Sequence, residues 1–162
     1  MKKMGNLAGA MIAYDSGDAK RINHFLKVWS YAKAIGEKES LNEEMLEILE
    51  AAAIVHDIGI KVSEEKYHSG AGRYQQIEGP PIAEEMLKKL GYNDSFISRV
   101  CFLVAHHHTY DCIDGSDYQI LVEADFLVNI DEGKMSMETV KKIQKEIFRT
   151  ETGKTFLKHL FL

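Results

Sequence analysis

Cysteine and long apolar runs are scarce in this sequence, and each shortage excludes a class of protein. The two cysteines, Cys101 and Cys112, are too few for a disulfide framework, so we expect free thiols in a reducing compartment. No window approaches the roughly 20 apolar residues of a membrane-spanning helix. The first residues carry two lysines and an apolar stretch, but Gly5, Asn6 and Gly9 interrupt it, so we do not expect a secretion signal. These features predict a cytoplasmic protein.

Basic residues are fewer than acidic ones. The 162 residues include 20 Lys and Arg against 25 Asp and Glu, a formal net charge of −5. A general nucleic-acid binder normally presents a basic surface, so we expect no nucleic acid polymer as a partner, while a local basic pocket for one small anion stays open. Hydrophobic residues make up 45% and charged residues 28%, the balance of a globular domain with a core of its own. The composition predicts one domain over residues 1–162.

Proline is rare as well, and the apolar residues recur mostly with helical periodicity. The pattern predicts an all-α protein with about six or more helices, centred on residues 18–35, 40–57, 80–90, 93–108, 117–129 and 136–148. Gly36 is expected to end the first of these helices, and Ser40 to begin the second through a capping box. The adjacent Pro80 and Pro81 are expected to open the third.

Two of the segments that have no helix assigned to them carry predictions of their own. Residues 62–79 are rich in glycine and polar groups and predict an irregular loop, which in a small domain is usually functional or mobile. The tail FLKHLFL is apolar enough to pack back on the domain or onto a second subunit, so a homodimer is one of two expectations.

The pair His56-Asp57 has the chemistry of a metal site. It ends a strongly apolar segment, AAAIVHDIG, where a carboxylate would lose its hydration. A buried carboxylate must be paired, hydrogen-bonded or bound to a metal, because unpaired burial costs several kcal/mol or more. The C-terminal end of a helix also attracts a cation. The alternative is an exposed pair at a helix end.

Asp125 and His24 are candidates for the same site. Asp125 lies in ILVEADFLVNI on the helix face of Leu121, which predicts a carboxylate that points into the core. Glu123 lies on another face and is expected to be solvated. His24 shares a partly apolar face of the first predicted helix with Val28. The alternatives are a carboxylate that caps or pairs with a neighbouring group and an ordinary core or surface histidine.

The order His24, then His56-Asp57, then a distant Asp125 resembles the HD superfamily of metal-dependent phosphohydrolases. Intervals of 32 residues between the histidines and 68 between the aspartates are similar to those of small members. The segments AAIVHDIG, EGPPIAEEML and VEADFLVNI also look like family segments. The similarity spans about residues 20–130, and the C-terminal helix and tail, 136–162, lie outside it. It implies an HD-domain or phosphodiesterase-like helical bundle whose four motif residues hold a metal, with Asp57 also orienting water.

The resemblance points to a second group of residues. Many HD enzymes hold two metals with additional histidines, and three consecutive histidines occur here at 106–108. His107 shares a face with core residues and is expected to point inward, with His108 next. Where such members carry a further histidine, this chain has Glu78, which would act as a ligand, a general base or a helix cap. A second metal near Glu78, His107 and His108 is one expectation, and a pocket lining that binds phosphate without it is the other.

Lys61 and Arg73 are the sequence candidates for phosphate binding. Some family members carry a basic residue just after the HD turn, and Lys61 stands one position beyond that place. Arg73 lies among polar and aromatic residues able to contact phosphate and sugar. Both residues also have the ordinary explanation of a solvated surface cation.

Two histidines and two carboxylates suit a divalent transition metal such as Mn, Fe, Co, Ni or Zn. The resemblance therefore implies hydrolysis of a small phosphate ester, most often a nucleotide, by metal-activated water. Two alternatives remain at this point. One is a di-iron oxygenase of the same fold, and the other is a non-catalytic metal- or nucleotide-binding sensor domain.

Overall fold

The computed structural model describes residues 3–162, and nine α-helices and no strands occur in that range. The predicted all-α class is therefore confirmed. None of these helices combines the length and apolar composition that a membrane crossing requires. The helices are α1 Met4–Tyr14, α2 Ala19–Lys38, α3 Glu43–Val55, α4 Ile60–Tyr67, α5 Gly72–Lys89, α6 Asp94–His106, α7 Ser116–Glu132, α8 Met137–Glu146 and α9 Glu151–Phe161.

Helices α3 and α7 form the centre of the bundle. Helix α3 packs against α1, α2, α6 and α7, and α7 also packs against α2 and α9. Both central helices carry nearly continuous buried segments, Leu49–Val55 in α3 and Tyr118–Asp125 in α7. Because a helix that is apolar all round must be covered on every side, these two segments define the core. The C-terminal end of α3 and the middle of α7 meet at the candidate site.

Helix α1 was not predicted, because Gly5 and Gly9 weaken its helical pattern. It forms nevertheless, since Leu7, Ala8 and Met11 are buried and the helix packs against α3. Tertiary packing here outweighs the helix-weakening effect of two glycines.

The predicted boundary between α2 and α3 was wrong in two details. Helix α2 continues past Gly36 to Lys38, and Gly36 is buried where a Cβ would lie only 2.8 Å from a methyl group of Leu46. The N-cap of α3 is Asn42, whose side chain accepts a hydrogen bond from the Met45 amide, and not Ser40. Gly36 therefore permits helix packing and does not end a helix.

The predicted loop over residues 62–79 was also wrong. Helix α4 occupies its first part, and α5 begins at Gly72, so that Pro80 and Pro81 lie inside α5 and do not open it. At Gly79, α5 crosses the turn after α3 so closely that a Cβ on Gly59 would lie 2.8 Å from the Gly79 amide nitrogen. Glycine and proline usually indicate a loop, but here the glycines permit a close helix crossing and the prolines lie inside the helix that makes it.

Glu123 is fully buried, so the expectation of a solvated side chain was wrong. Its carboxylate accepts hydrogen bonds from the backbone amides of Arg149 and Thr150, and from the Thr150 hydroxyl. It thereby anchors the chain between α8 and α9. Helix α9 contains the apolar tail and packs against α2, α7 and α8, with Leu157 buried.

Candidate metal centre

His24 lies in the second turn of α2, which begins where the Asp18 side chain accepts a hydrogen bond from the Arg21 amide. Nδ1 of His24 donates to Oε1 of Glu132 on α7 at 2.5 Å. Because Nδ1 is engaged by that carboxylate, Nε2 is the ring nitrogen that faces the interior of the site.

His56 and His107 each follow the end of a helix, as the C-caps of α3 and α6. Nδ1 of each ring donates to a carbonyl three residues earlier, Ala53 O at 2.7 Å and Val104 O at 2.8 Å. A carbonyl oxygen only accepts, so Nδ1 of each ring carries a proton, and Nε2 is the nitrogen whose lone pair can bind a metal ion. The C-terminal ends of both helices add partial negative charge, which favours a cation between them.

The four motif residues lie close together around Nε2 of His24 and Nε2 of His56. Nε2 of His24 lies 3.2 Å from Nε2 of His56 and 3.3 Å from Oδ2 of Asp57. Oδ2 of Asp57 is also 3.3 Å from Nε2 of His56. Oδ1 of Asp125 completes the set at 3.3 Å from His24 Nε2 and 3.4 Å from His56 Nε2. The fold therefore brings together side chains that are up to 101 positions apart in the sequence.

These donor atoms fit a divalent ion. Two ligand atoms about 2.1 Å from a common ion are roughly 3.0–3.4 Å apart at octahedral or tetrahedral angles, as the donor atoms are here. Oδ1 of Asp125 is buried and has no hydrogen-bond partner. Two imidazole nitrogens and two carboxylate oxygens suit Mn, Fe, Co, Ni or Zn.

The carboxylates also control the charge of the ring nitrogens. Burial opposes a charge on His24, but the carboxylates of Asp125 and Asp57, each 3.3 Å from its Nε2, outweigh burial and raise its pKa to about 9. Burial likewise opposes ionisation of Asp57, but the charge of His56 and the close contacts of His107 and His24, each at 3.3 Å, hold the pKa of Asp57 well below its usual range. Asp57 is thus an ionised acceptor at neutral pH.

A second group of donors shares Asp57 with the first. One ligand atom each from Asp57, His107 and His108 can be chosen so that all three lie within 4.8 Å of one another. Oδ1 of Asp57 is 3.3 Å from Nε2 of His107, whereas Oδ2 faces the first group. Nε2 of His107 is buried without a hydrogen-bond partner. Burial, and then the neighbouring His107, lowers the pKa of His108 to about 4, so His108 is neutral and able to bind a cation.

Glu78 belongs to neither group of donors. Its carboxylate accepts hydrogen bonds from Lys66 Nζ at 3.2 Å and from the Tyr67 hydroxyl at 2.9 Å, both on α4. These contacts hold its pKa below its usual value, with the Tyr67 bond as the largest cause. Its role as a ligand or general base stays a prediction. The phosphate-binding roles of Lys61 and Arg73 also stay predictions.

Lys61 and Arg73 make local contacts in the structure. Lys61 Nζ donates to the carbonyl of Tyr14 at 3.2 Å and lies over that ring. The Arg73 guanidinium lies over the ring of Tyr74 and donates to its hydroxyl at 2.8 Å.

A pocket of about 320 Å³ opens on the first donor group. His24, Asp57 and Glu132 line it, together with Arg21, Lys20 and Asn129. Sequence reasoning missed Arg21 and Glu132. The signal available for Arg21 was its position three residues before His24, which places both on one helix face. No local signal marked Glu132, because its partner is 108 positions away.

Comparisons with known proteins identify the family and the fold. Residues 21–114 match the HD domain family, a family of metal-dependent phosphohydrolases. The fold is similar to the crystal structure of a predicted HD superfamily hydrolase from an uncultured Thermotogales bacterium. That comparison has a TM-score of 0.69 and 20% sequence identity, and covers 95% of this chain and 82% of that one. No curated protein matches the chain.

Because the family match covers more than half of the sequence, the chain belongs to the HD domain family. The match includes His24, His56, Asp57 and the histidines of the second group. Asp125 lies beyond its end, so the structure, and not the family match, places this carboxylate beside the histidines.

Proposed function

We propose that the protein is a metal-dependent phosphohydrolase that cleaves a phosphate ester of a small molecule, with nucleotides as the first substrate class to test. One observation carries this proposal. The Nε2 atoms of two histidines lie 3.2 Å apart, and each lies within 3.4 Å of an oxygen of Asp57 and an oxygen of Asp125, with Nδ1 of each ring held by another group. That arrangement provides strong donors for a cation beside an open pocket.

The metal would be held by His24, His56, Asp57 and Asp125. When bound, a divalent ion supplies Lewis-acid chemistry, which lowers the pKa of water and neutralises charge on phosphate oxygens. The chain's own residues prepare the site for that chemistry. Glu132 fixes the His24 ring, and the last turn of α3 fixes His56. Preorganised ligands of this kind need no rearrangement during the reaction.

Asp57 has a second task in this proposal. Its pKa is held low, so the carboxylate accepts a hydrogen bond at neutral pH and cannot act as a proton donor. We assign it the role of orienting the attacking water while it binds metal. General-base or phosphate-binding roles for Glu78, Lys61, Arg73, His107 and His108 belong to the same proposal as secondary elements.

The dimensions of the pocket support a small substrate. A volume of about 320 Å³ lies at the lower end of the range for small-molecule sites, about 300–1,000 Å³. Lys20 and Arg21 provide local positive charge in a lining that also contains Asp18, Asp57 and Glu132, and the whole chain has a net charge of −5. A single phosphate ester is therefore a better match than a nucleic acid polymer.

The test is phosphate release from a nucleotide panel with Mn, Co, Ni, Zn or Mg. Wild-type protein should release phosphate with at least one metal, and Asp57→Ala should abolish release while the circular dichroism spectrum retains its helical form. Undiminished release by the variant would remove Asp57 from the mechanism. Absence of release from every nucleotide with every metal would oppose the proposal.

A second candidate is a di-iron oxygenase of the same fold, supported by the two donor groups that share Asp57. Its signature would be iron in a 2:1 ratio to the chain and turnover that requires oxygen. Oxygen-independent phosphate release with Mn or Co would favour the phosphohydrolase.

A further inference from the structure

We infer that Arg21 binds the phosphate group of the substrate, an inference that rests on the proposed function and names the residue that recognises the anion. Arg21 precedes His24 by three residues on α2, so both side chains lie on one face of the helix. Both line the pocket that opens on Asp57. The Arg21 side chain is 20% exposed, which places its guanidinium at the boundary between the pocket and solvent.

Two carboxylates hold this guanidinium in position. Nη2 of Arg21 donates to Oε1 of Glu64 at 3.2 Å, and Nε lies 3.7 Å from Oδ2 of Asp18. Asp18 and Glu64 are themselves 44% and 54% exposed, so each stays well hydrated and neutralises the arginine only weakly. A guanidinium has five N–H donors, and one hydrogen bond from this side chain to Glu64 leaves most of them for a ligand.

The acidic residues of the pocket lining explain why phosphate binding needs a cation such as Arg21. Asp18, Asp57 and Glu132 line it, and an approaching phosphate would meet mainly like charge at the mouth. Among the described residues that line the pocket, Lys20 and Arg21 are the two with permanent positive charge, and Lys20 is exposed. Arginine also matches phosphate geometry with two parallel hydrogen bonds, which an ammonium group does not.

The two cations suggested by the sequence are engaged elsewhere. Lys61 donates to the Tyr14 carbonyl, and Arg73 to the Tyr74 hydroxyl. Neither residue lines the pocket beside His24. Arg21 therefore combines position, partial burial and free donors in a way that neither of them does.

The test measures binding of inorganic phosphate to manganese-loaded protein by calorimetry, so it does not depend on turnover. Arg21→Ala should weaken phosphate binding about 10- to 100-fold, the loss expected for a charge-assisted hydrogen-bonded contact. Arg21→Lys should recover only part of the affinity. The matched control is Lys33→Ala, which removes one positive charge from α2 at a residue outside the pocket, and its affinity should stay within about twofold of wild type. Manganese content, measured in parallel, should be the same in all variants.

A structural role for Arg21, as a tie between α2 and α4, predicts a different pattern. Glu64→Gln breaks the same ion pair but leaves the guanidinium in place. If Arg21→Ala and Glu64→Gln lower the melting temperature alike and both retain wild-type phosphate affinity, the inference is overturned. Phosphate affinity lost in Arg21→Ala and largely kept in Glu64→Gln supports it.

Failure of this inference is distinguishable from failure of the proposed function. If nucleotides are hydrolysed and Arg21→Ala changes neither KM nor phosphate affinity, the function stands and the inference falls. If no ester is hydrolysed but phosphate binding depends on Arg21, the inference stands and the function falls. Wild-type protein that carries manganese and binds no phosphate would refute the inference.

Discussion

Glu132 accepts a hydrogen bond from Nδ1 of His24 at 2.5 Å, although 108 positions separate the two residues. The same carboxylate accepts a second bond from Lys27 Nζ at 3.1 Å through its other oxygen. Helix α7 thus orients a ring carried by α2. Such outer contacts fix the tautomer of a metal-binding histidine and increase its basicity.

Removal of this contact should weaken metal binding. We expect Glu132→Ala to reduce manganese affinity about 10- to 100-fold, because the His24 ring loses the partner that orients it. Glu132→Gln retains an acceptor oxygen and should lose less. The measurement is calorimetric titration of metal-free protein, with Glu138→Ala on the exposed surface of α8 as the matched control. Equal affinities in wild type and Glu132→Ala would show that the contact does not support the site.

The second donor group should bind its own ion. We expect two metal ions per chain at saturating manganese, and His107→Ala should reduce the content to one, since it removes a buried nitrogen that faces Asp57. Elemental analysis after gel filtration measures the ratio. His159→Ala, which removes an exposed histidine on α9, should leave the ratio unchanged. Wild-type protein that saturates with one ion would contradict this prediction.

Metal affinity should increase with pH. In the metal-free protein, burial opposes the charge of His24, but Asp125 and Asp57 raise its pKa to about 9, whereas an unfolded histidine has a pKa of about 6.5. A metal ion must displace this proton, so apparent affinity should rise as the pH approaches 9. Titrations in buffers with different ionisation enthalpies would report the protons released. Affinity that stays constant between about pH 6.5 and 9 would oppose this assignment.

The same shift has a consequence for the stability of the metal-free protein. The folded state binds the His24 proton more tightly than the unfolded chain, so its stabilisation is complete below about pH 6.5 and is lost as the pH rises through about 9. Thermal unfolding of the wild type should therefore lose stability over that interval. His24→Gln, which lacks the titrating group, should lose less, and identical profiles would count against the shift.

The close crossing of α5 should tolerate no side chain at Gly59. A Cβ there would lie 2.8 Å from the Gly79 amide nitrogen and 2.9 Å from its Cα, so Gly59→Ala should destabilise the fold by about 1–3 kcal/mol. Gly9, in α1, has nothing within 4 Å of its Cβ position, and Gly9→Ala should stabilise the fold by about 0.5–1 kcal/mol. Urea unfolding measures both changes. A neutral Gly59→Ala would mean that the crossing adjusts easily.

Local sequence patterns predicted the helices whose boundaries depend on local chemistry. Asp18, Asn93 and Ser136 cap the helices that follow them, as residues of their type usually do. Predictions failed where packing outweighs propensity. Gly36 lies inside a helix beside Leu46, and the prolines of α5 lie inside a helix that packs on α4 and α6.

In the candidate site, too, some residues could be predicted from local sequence and others depend on packing between helices. Burial of a carboxylate in an apolar helix is visible in sequence, and it led to Asp57 and Asp125. Glu132 and Arg21 gave no comparable signal, because charged residues on a partly exposed helix face usually contact only water. Their importance depends on which helix lies opposite, and that is a property of the assembled bundle.

The sequence by itself determined the helical class and the choice of four residues for the candidate metal site, because apolar periodicity and the order of histidines and aspartates are local or linear properties. Only the tertiary structure decided which atoms face one another. It paired Glu132 with His24, divided the oxygens of Asp57 between two donor groups, and placed Arg21 in the pocket lining. The physical reason is that ligand geometry and pocket charge depend on distances between helices, which helix packing sets and a linear pattern does not contain.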